Sequence, residues 1–330
     1  MFRAELFNGK RILVTGGGTG LGKAMSEKFM ELGAEVFICG RRGNVLNQTA
    51  QELTDKTGGT ISAFVCDIRV PQAIDEMLEE IWLSGPLNGL VNNAASNFIS
   101  KSEDLSPRGF DAISNIVMSG TFYVTRACGA RWIANGDNAS IISILANYIW
   151  TGSAYVTPSA MAKAGVSAMT QSLAVEWGGR GIRLNAIAPG PFPTKGAWDR
   201  LMPNANLSDK YTRTVPMGRT GEHSELANLA TFLLSDECKF LNGAIIPVDG
   251  GQWLNGGGTF SWLEDLNDDD WKTIRAQIKQ STDTDKTERS SDPPHFSLRG
   301  RKHSRFIKIR KPRFLTVRSS IHILVLITGI

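Results

Sequence analysis

Two textures alternate along the chain between residue 11 and about residue 250. Short β-branched apolar runs at 11–15, 35–39, 61–66, 89–92, 140–145, 182–187 and 244–248 read as strands. Amphipathic stretches at 20–32, 44–56, 111–132, 160–177 and 222–233 read as helices between them. Seven strands alternating with helices predict a parallel sheet covered on both faces. Right-handed crossovers then make it an α/β, Rossmann-type doubly wound sheet in a single domain. Its ligand crevice lies at the carboxyl ends of the strands.

The texture changes near the end. Residues 253–281 read as a closing helical extension, with Asp268-Asp269-Asp270-Trp271 at a helix start. The domain is therefore drawn as 1–282, followed by a basic, disordered tail over 283–330. That tail carries eleven Lys/Arg against four Asp/Glu, a charge of +7, and leaves −3 for residues 1–282. The overall +4 thus belongs to the tail, and a near-neutral body argues against nucleic acid as a partner. The apolar run 321–330 is about half of what a spanning helix needs, so no membrane anchor is expected.

Cys39, Cys66, Cys128 and Cys238 form no CxxC pair, which suggests neither a zinc site nor a disulfide framework and fits a reduced compartment. The four histidines lack metal-ligand spacing, so no metal is expected. With a strand beginning at Arg11 and a terminus reading Thr328-Gly329-Ile330, neither a transit peptide nor a peroxisomal address is expected.

One motif carries cofactor chemistry. Gly16, Gly17, Gly18, Thr19, Gly20, Leu21 and Gly22 follow the first strand and open the first helix. Glycines there permit a tight turn and close approach of a pyrophosphate, and the helix N-terminus offers free N–H groups and a positive dipole end. After the second strand, where an NAD site places a carboxylate for the ribose 2′-OH, this chain has Gly40, Arg41 and Arg42. Two cations suit a 2′-phosphate, so NADPH/NADP is the expected cofactor.

That glycine turn, with Asp67, Asn92-Asn93-Ala94-Ala95 and Pro189-Gly190, resembles the short-chain dehydrogenase/reductase family over roughly residues 8–255. The resemblance implies that Asp67 holds the adenine amino group and that Asn93 belongs to the cofactor site. It also implies that Pro189, Gly190, Pro191 and Phe192 line the nicotinamide. It fails at the family's Asn–Ser–Tyr–Lys set. Lys163 matches, but the tyrosine, serine and asparagine positions hold Ser159, Ala146 and Val117.

A serine hydroxyl is far too weak an acid to protonate an alkoxide, which counts against a carbonyl or 3-oxoacyl reductase. Hydride addition to a conjugated thioester instead puts the charge on the thioester oxygen as a dienolate, and that step needs oxyanion donors. The segments around Asn97, Tyr148 and 158–165 are similar to the 2,4-dienoyl-CoA reductase branch of the family. There the tyrosine lies on the loop after the fifth strand, where Tyr148 stands. The branch implies that Tyr148 and Asn97 bind the thioester oxygen, that Lys163 binds the nicotinamide ribose, and that Ser159 supports the network. It further implies acyl-CoA contacts for Arg69, Phe98, Ser106 and Arg200, a homo-oligomer (a tetramer), and a mitochondrial setting with peroxisome or cytoplasm as alternatives. Tyr155, eight residues before Lys163, lacks the family spacing and reads as structural. A non-catalytic NADP-binding shell is the alternative from outside enzymology.

Overall fold

The computed structural model describes residues 2–194, 211–257, 263 and 265–291. The seven apolar runs are seven strands: β1 (Arg11–Thr15), β2 (Glu35–Gly40), β3 (Ile61–Val65), β4 (Gly89–Asn92), β5 (Ala139–Ile144), β6 (Ile182–Pro189) and β7 (Ile245–Val248). They form one parallel sheet in the order β3-β2-β1-β4-β5-β6-β7. Every residue of β1, β4 and β5 is buried. Central strands sandwiched by helices have no wet face, which is why they read as unbroken apolar runs. The winding reverses between β1 and β4, and the crevice opens there at the carboxyl ends.

Two helical layers cover the sheet. On one face α1 (Gly20–Glu31), α2 (Gly43–Thr57) and α7 (His223–Leu234) bury Met25, Phe29, Leu53, Leu226 and Leu233. On the other, α3 (Pro71–Leu83), α5 (Thr121–Asn135) and α6 (Thr157–Gly178) bury Leu78, Trp132, Leu173 and Trp177. Trp132 donates its indole N–H to the Leu87 carbonyl at 2.6 Å, so a large buried ring leaves no polar atom unpaired.

Three features depart from the pattern reading. Helix α3 is absent from that reading, although Pro71 at its first turn and Ile74, Met77, Leu78 and Ile81 on one face are the signature of an amphipathic helix. The stretch 111–132, expected as one helix, is α4 (Pro107–Ser114), a six-residue π-helical stretch Asn115–Gly120, and α5. Wider turns re-phase the buried stripe. Ile113 and Val117 face Ala162 of α6, whereas Val124 and Cys128 face the core shared with α3.

The closing extension expected over 253–281 is broken as well, into α8 (Gln252–Gly257) and α9 (Asp268–Ser291). The chain to Glu264 makes one compact unit, and a second unit begins at Asp265. Helix α9 starts at the acidic cluster, where Asn267 Oδ1 accepts the Asp269 and Asp270 N–H groups at 2.9 and 3.0 Å. It continues past Thr282 to Ser291; the rest of the expected tail lies outside the described residues.

Candidate active site

The cofactor turn is built as its glycines require. Gly16 and Gly20 take φ of +65° and +55°. A Cβ on Gly17 would stand 2.4 Å from Ile38 Cγ2, and one on Gly22 would stand 2.5 Å from the Gly16 carbonyl oxygen. The Gly18 carbonyl accepts the Thr49 hydroxyl at 2.8 Å, which fixes the turn to α2, and Leu21 packs at the core edge. Thr19 begins α1 without a side-chain cap, and the first turn holds no acid. An uncapped helix start with bare backbone N–H groups is an anion cradle. Asn93 does not point a free amide at this cradle. Its Nδ2 donates to the Thr15 and Gly16 carbonyls at 3.0 and 3.2 Å, so it braces the turn.

Beyond β2, Arg41 and Arg42 are exposed, and no carboxylate lies between Gly40 and α2. Asp67 follows β3 and is clamped by Arg69, with Nη2–Oδ2 at 2.5 Å and Nε–Oδ1 at 2.9 Å. That pairing, helped by Arg41, holds the Asp67 carboxyl below its ordinary range despite some desolvation. Arg69 therefore sits against Asp67 at the end of β3. A cavity of about 350 Å³ runs from this pair to Asn115, Ser119 and Tyr123. Colliding Cβ positions, an uncapped helix start and two exposed cations on a segment that carries no acid together fit a phosphorylated dinucleotide.

Tyr148 lies on a single 3₁₀ turn, Asn147–Ile149, directly after β5. Its hydroxyl is 2.8 Å from Ser159 Oγ on the first turn of α6. Burial pushes the phenol up, and the Ser159 hydrogen bond opposes that rise, so Tyr148 stays a protonated donor at neutral pH. One turn on, Lys163 is buried and its ammonium donates to the Ile144 carbonyl; desolvation lowers it to about 8. Ala146 and Val117, at two of the family's polar positions, are buried apolar residues. Tyr155 is 60 % exposed with φ +65°.

The loop after β4 reaches the same helix start. The Ser100 N–H donates to the Tyr155 carbonyl at 2.9 Å, and the Ser102 and Thr157 hydroxyls are 3.1 Å apart. Asn97 Oδ1 accepts the Phe98 N–H at 2.9 Å, so this bond engages the acceptor end of the amide and not its donors. Phe98 packs on Ile113, Val117 and Ala162. Ser106 caps α4, its Oγ accepting the Gly109 N–H at 3.1 Å, a structural task the acyl-CoA reading does not anticipate. Arg200 lies outside the described residues.

The ends of β6 and β7 close the crevice. Pro189 ends β6, and Gly190 abuts Asp249 so closely that a Cβ would stand 2.5 Å from Asp249 Cβ. After Pro191, the Phe192 ring is 8 % exposed and packs on Gly221. Thr194 reaches the cofactor turn: its Cγ2 lies 2.9 Å from where a Gly20 Cβ would be. Thr194 escapes the sequence reading, although a hydroxyl just past the Pro-Gly end of β6 is a visible signal. Also missed is a polar web under Tyr148. Asn147 Nδ2 donates to Asp249 Oδ2 at 3.0 Å and to Gln252 Oε1 at 2.8 Å.

Residues 16–252 match the family described as Enoyl-(Acyl carrier protein) reductase. A Caenorhabditis elegans protein named probable 2,4-dienoyl-CoA reductase, (3E)-enoyl-CoA-producing, is 44 % identical over 292 residues, 87 % of this chain and 94 % of that one. A Bacillus subtilis protein named probable 2,4-dienoyl-CoA reductase, (2E)-enoyl-CoA-producing, is 43 % identical over 248 residues, 74 % of this chain and 97 % of that one. Among solved structures, a short chain dehydrogenase from Bacillus anthracis is 41 % identical with a TM-score of 0.68, covering 76 % of this chain and 98 % of that one. An Agrobacterium tumefaciens putative 2-deoxy-d-gluconate 3-dehydrogenase with bound NADP is 30 % identical with a TM-score of 0.69, covering 77 % of this chain and 100 % of that one. Sheet order, glycine turn and Lys163 agree with these matches: the chain belongs to the short-chain dehydrogenase/reductase family.

Proposed function

We propose that this protein is an NADPH-dependent 2,4-dienoyl-CoA reductase. The observation that carries the reading is the Tyr148–Ser159 hydrogen bond of 2.8 Å. A phenol has moved to the turn after β5, and the position of the family's usual acid holds a serine that supports it. Arg41 and Arg42 would take the 2′-phosphate, the start of α1 the pyrophosphate, and Lys163 the nicotinamide ribose. Asp67 would reach the adenine through its outer face while Arg69 neutralises it.

A nicotinamide held there would supply a hydride for the δ-carbon of the dienoyl thioester. Electrons then move through the conjugated system onto the thioester oxygen. Tyr148 O–H and Asn97 N–H donate to that oxygen, where the charge develops. Lys163, buried and cationic below about pH 8, favours the same charge. A proton taken up at the α-carbon gives a 3-enoyl-CoA, and one taken up at the γ-carbon gives a 2-enoyl-CoA. The worm and Bacillus relatives carry names of opposite product class, so the site of protonation is a variable within this family. In the proposed site Tyr148 is the proton donor and Phe98 lies against the acyl portion. Arg69 contacts the CoA portion, and the active form is a homotetramer.

The test compares NADPH oxidation with 2,4-hexadienoyl-CoA and with acetoacetyl-CoA. Turnover on the first alone supports the reading. Turnover on the second alone makes the protein a 3-oxoacyl reductase, and silence on both makes it a binding shell.

A further inference from the structure

The web beneath Tyr148 joins three elements that are far apart in sequence. Gln252, the first residue of α8, accepts from Asn147 Nδ2 at 2.8 Å and donates from Nε2 to Thr214 Oγ1 at 2.7 Å. It also hydrogen-bonds the Tyr211 phenol. Asn147, 7 % exposed, is the immediate neighbour of Tyr148 on the 3₁₀ turn. Its second amide hydrogen goes to Asp249 Oδ2, and Asp249 also accepts the Gly251 and Trp253 N–H groups at 3.0 and 2.8 Å. The Trp150 and Trp253 rings, 4.8 Å between centroids, clamp the same turn to α8.

We propose that Gln252 is a positioning residue of this active site, setting the turn that carries Tyr148 and holding Tyr211 as a second phenol at the same site. The proposal deepens the dienoyl-CoA reading and rests on it for the identity of the reaction. A primary amide is suited to the task because it accepts from Asn147 and donates to Thr214 and Tyr211 at once. Glutamate would lose the donors and leucine both ends. The two phenols also sense each other: charge on Tyr211 opposes ionisation of Tyr148. Asp249 raises Tyr211 in the same way, burial raises both phenols, and the Ser159 and Gln252 hydrogen bonds oppose the rise. Lys163, charged and buried on the helix that carries Ser159, is turned to the Ile144 carbonyl.

Two measurements test this. The first needs no substrate. The chain has four tyrosines, and their ionisation is followed by tyrosinate absorbance in wild type, Tyr148→Phe and Tyr211→Phe. Losing Tyr211 is expected to remove one titrating group and to move Tyr148 to lower pH. A Tyr148 titration that stays where it was separates the phenols and overturns the proposal, whatever the enzyme's substrate. The second follows dienoyl-CoA turnover of Gln252→Leu, Gln252→Glu and Gln252→Asn. Gln252→Leu and Gln252→Glu should each lower kcat about tenfold and leave the KM for NADPH unchanged, and Gln252→Leu should move the Tyr211 titration to higher pH, because the Gln252 bond lowers it. Gln252→Asn, which keeps the amide, should recover part of the rate. In a Tyr211→Phe background the Gln252→Leu loss should shrink, because part of it has already been taken. A Gln252→Leu enzyme with a lower melting temperature but an unmoved Tyr211 titration and kcat would make the residue merely structural. Absence of wild-type turnover on dienoyl-CoA would instead refute the assigned reaction and leave the first measurement standing.

Discussion

The Tyr148 hydroxyl and the Ser159 hydroxyl are 2.8 Å apart, although one lies on a 3₁₀ turn after β5 and the other on the first turn of α6. In this fold the helix position four residues before Lys163 ordinarily carries the acid itself. Here that position carries a hydroxyl that holds a phenol borne elsewhere. The pair explains how a chain without the family's usual tyrosine keeps a buried phenol within the reach of Lys163's helix.

Ser159→Ala removes one hydrogen bond and leaves Tyr148 in place. A single buried hydrogen bond is worth about 1 kcal/mol, so kcat on dienoyl-CoA should fall roughly three- to tenfold. The Tyr148 phenol should titrate higher than in wild type, since the Ser159 bond lowers it. Steady-state kinetics together with a tyrosinate titration check both parts.

Cofactor choice follows from Arg41 and Arg42 standing exposed, with no carboxylate in the segment between Gly40 and α2. NADPH should bind at least about tenfold tighter than NADH, about 1.4 kcal/mol. Arg41→Ala should erase most of that difference. Calorimetry with both cofactors measures it, and equal wild-type affinities would refute the assignment.

Lys163 gives a pH dependence with a definite sign. Burial disfavours the ammonium and lowers it to about 8, so the charged form predominates below that pH and is lost above it. The kcat/KM for NADPH, which reports the free enzyme, should therefore fall as pH rises through about 8. Lys163→Arg should lose that limb, because a guanidinium keeps its charge throughout the range. A profile flat to pH 10, or unchanged by arginine, would show that this charge is not used.

No site residue named above lies beyond Trp253, and the basic tail shows little apolar periodicity. A chain ending at Ser291 should melt at the wild-type temperature and keep wild-type turnover. Thermal denaturation and the dienoyl-CoA assay on the shortened chain decide it.

The sheet was legible because buried parallel strands leave unbroken apolar runs, and the glycine turn because only glycines fit beside Ile38 and the Gly16 carbonyl. Local signals that were present went unread. Pro71 ahead of an apolar stripe marks α3, and Ser106-Pro107 with Gly109 marks a capped helix start. Other features have no local signal. The contact of Asn147 with Gln252 spans 105 residues and that of Gln252 with Thr214 spans 38, so only the completed fold brings them together. The π stretch is likewise a compromise between two packing partners, Ala162 on one side and the α3 core on the other.

The most direct test of the account is kcat for Tyr148→Phe on 2,4-hexadienoyl-CoA. If Tyr148 donates to the oxygen on which dienolate charge develops, kcat should fall roughly 10²–10³-fold with little change in KM. Asn97→Ala should act in the same sense, and the double variant should lose less than the product of the two, because both donors serve one oxygen. A Tyr148→Phe enzyme that keeps wild-type kcat would contradict the account, since charge and proton would then be handled elsewhere.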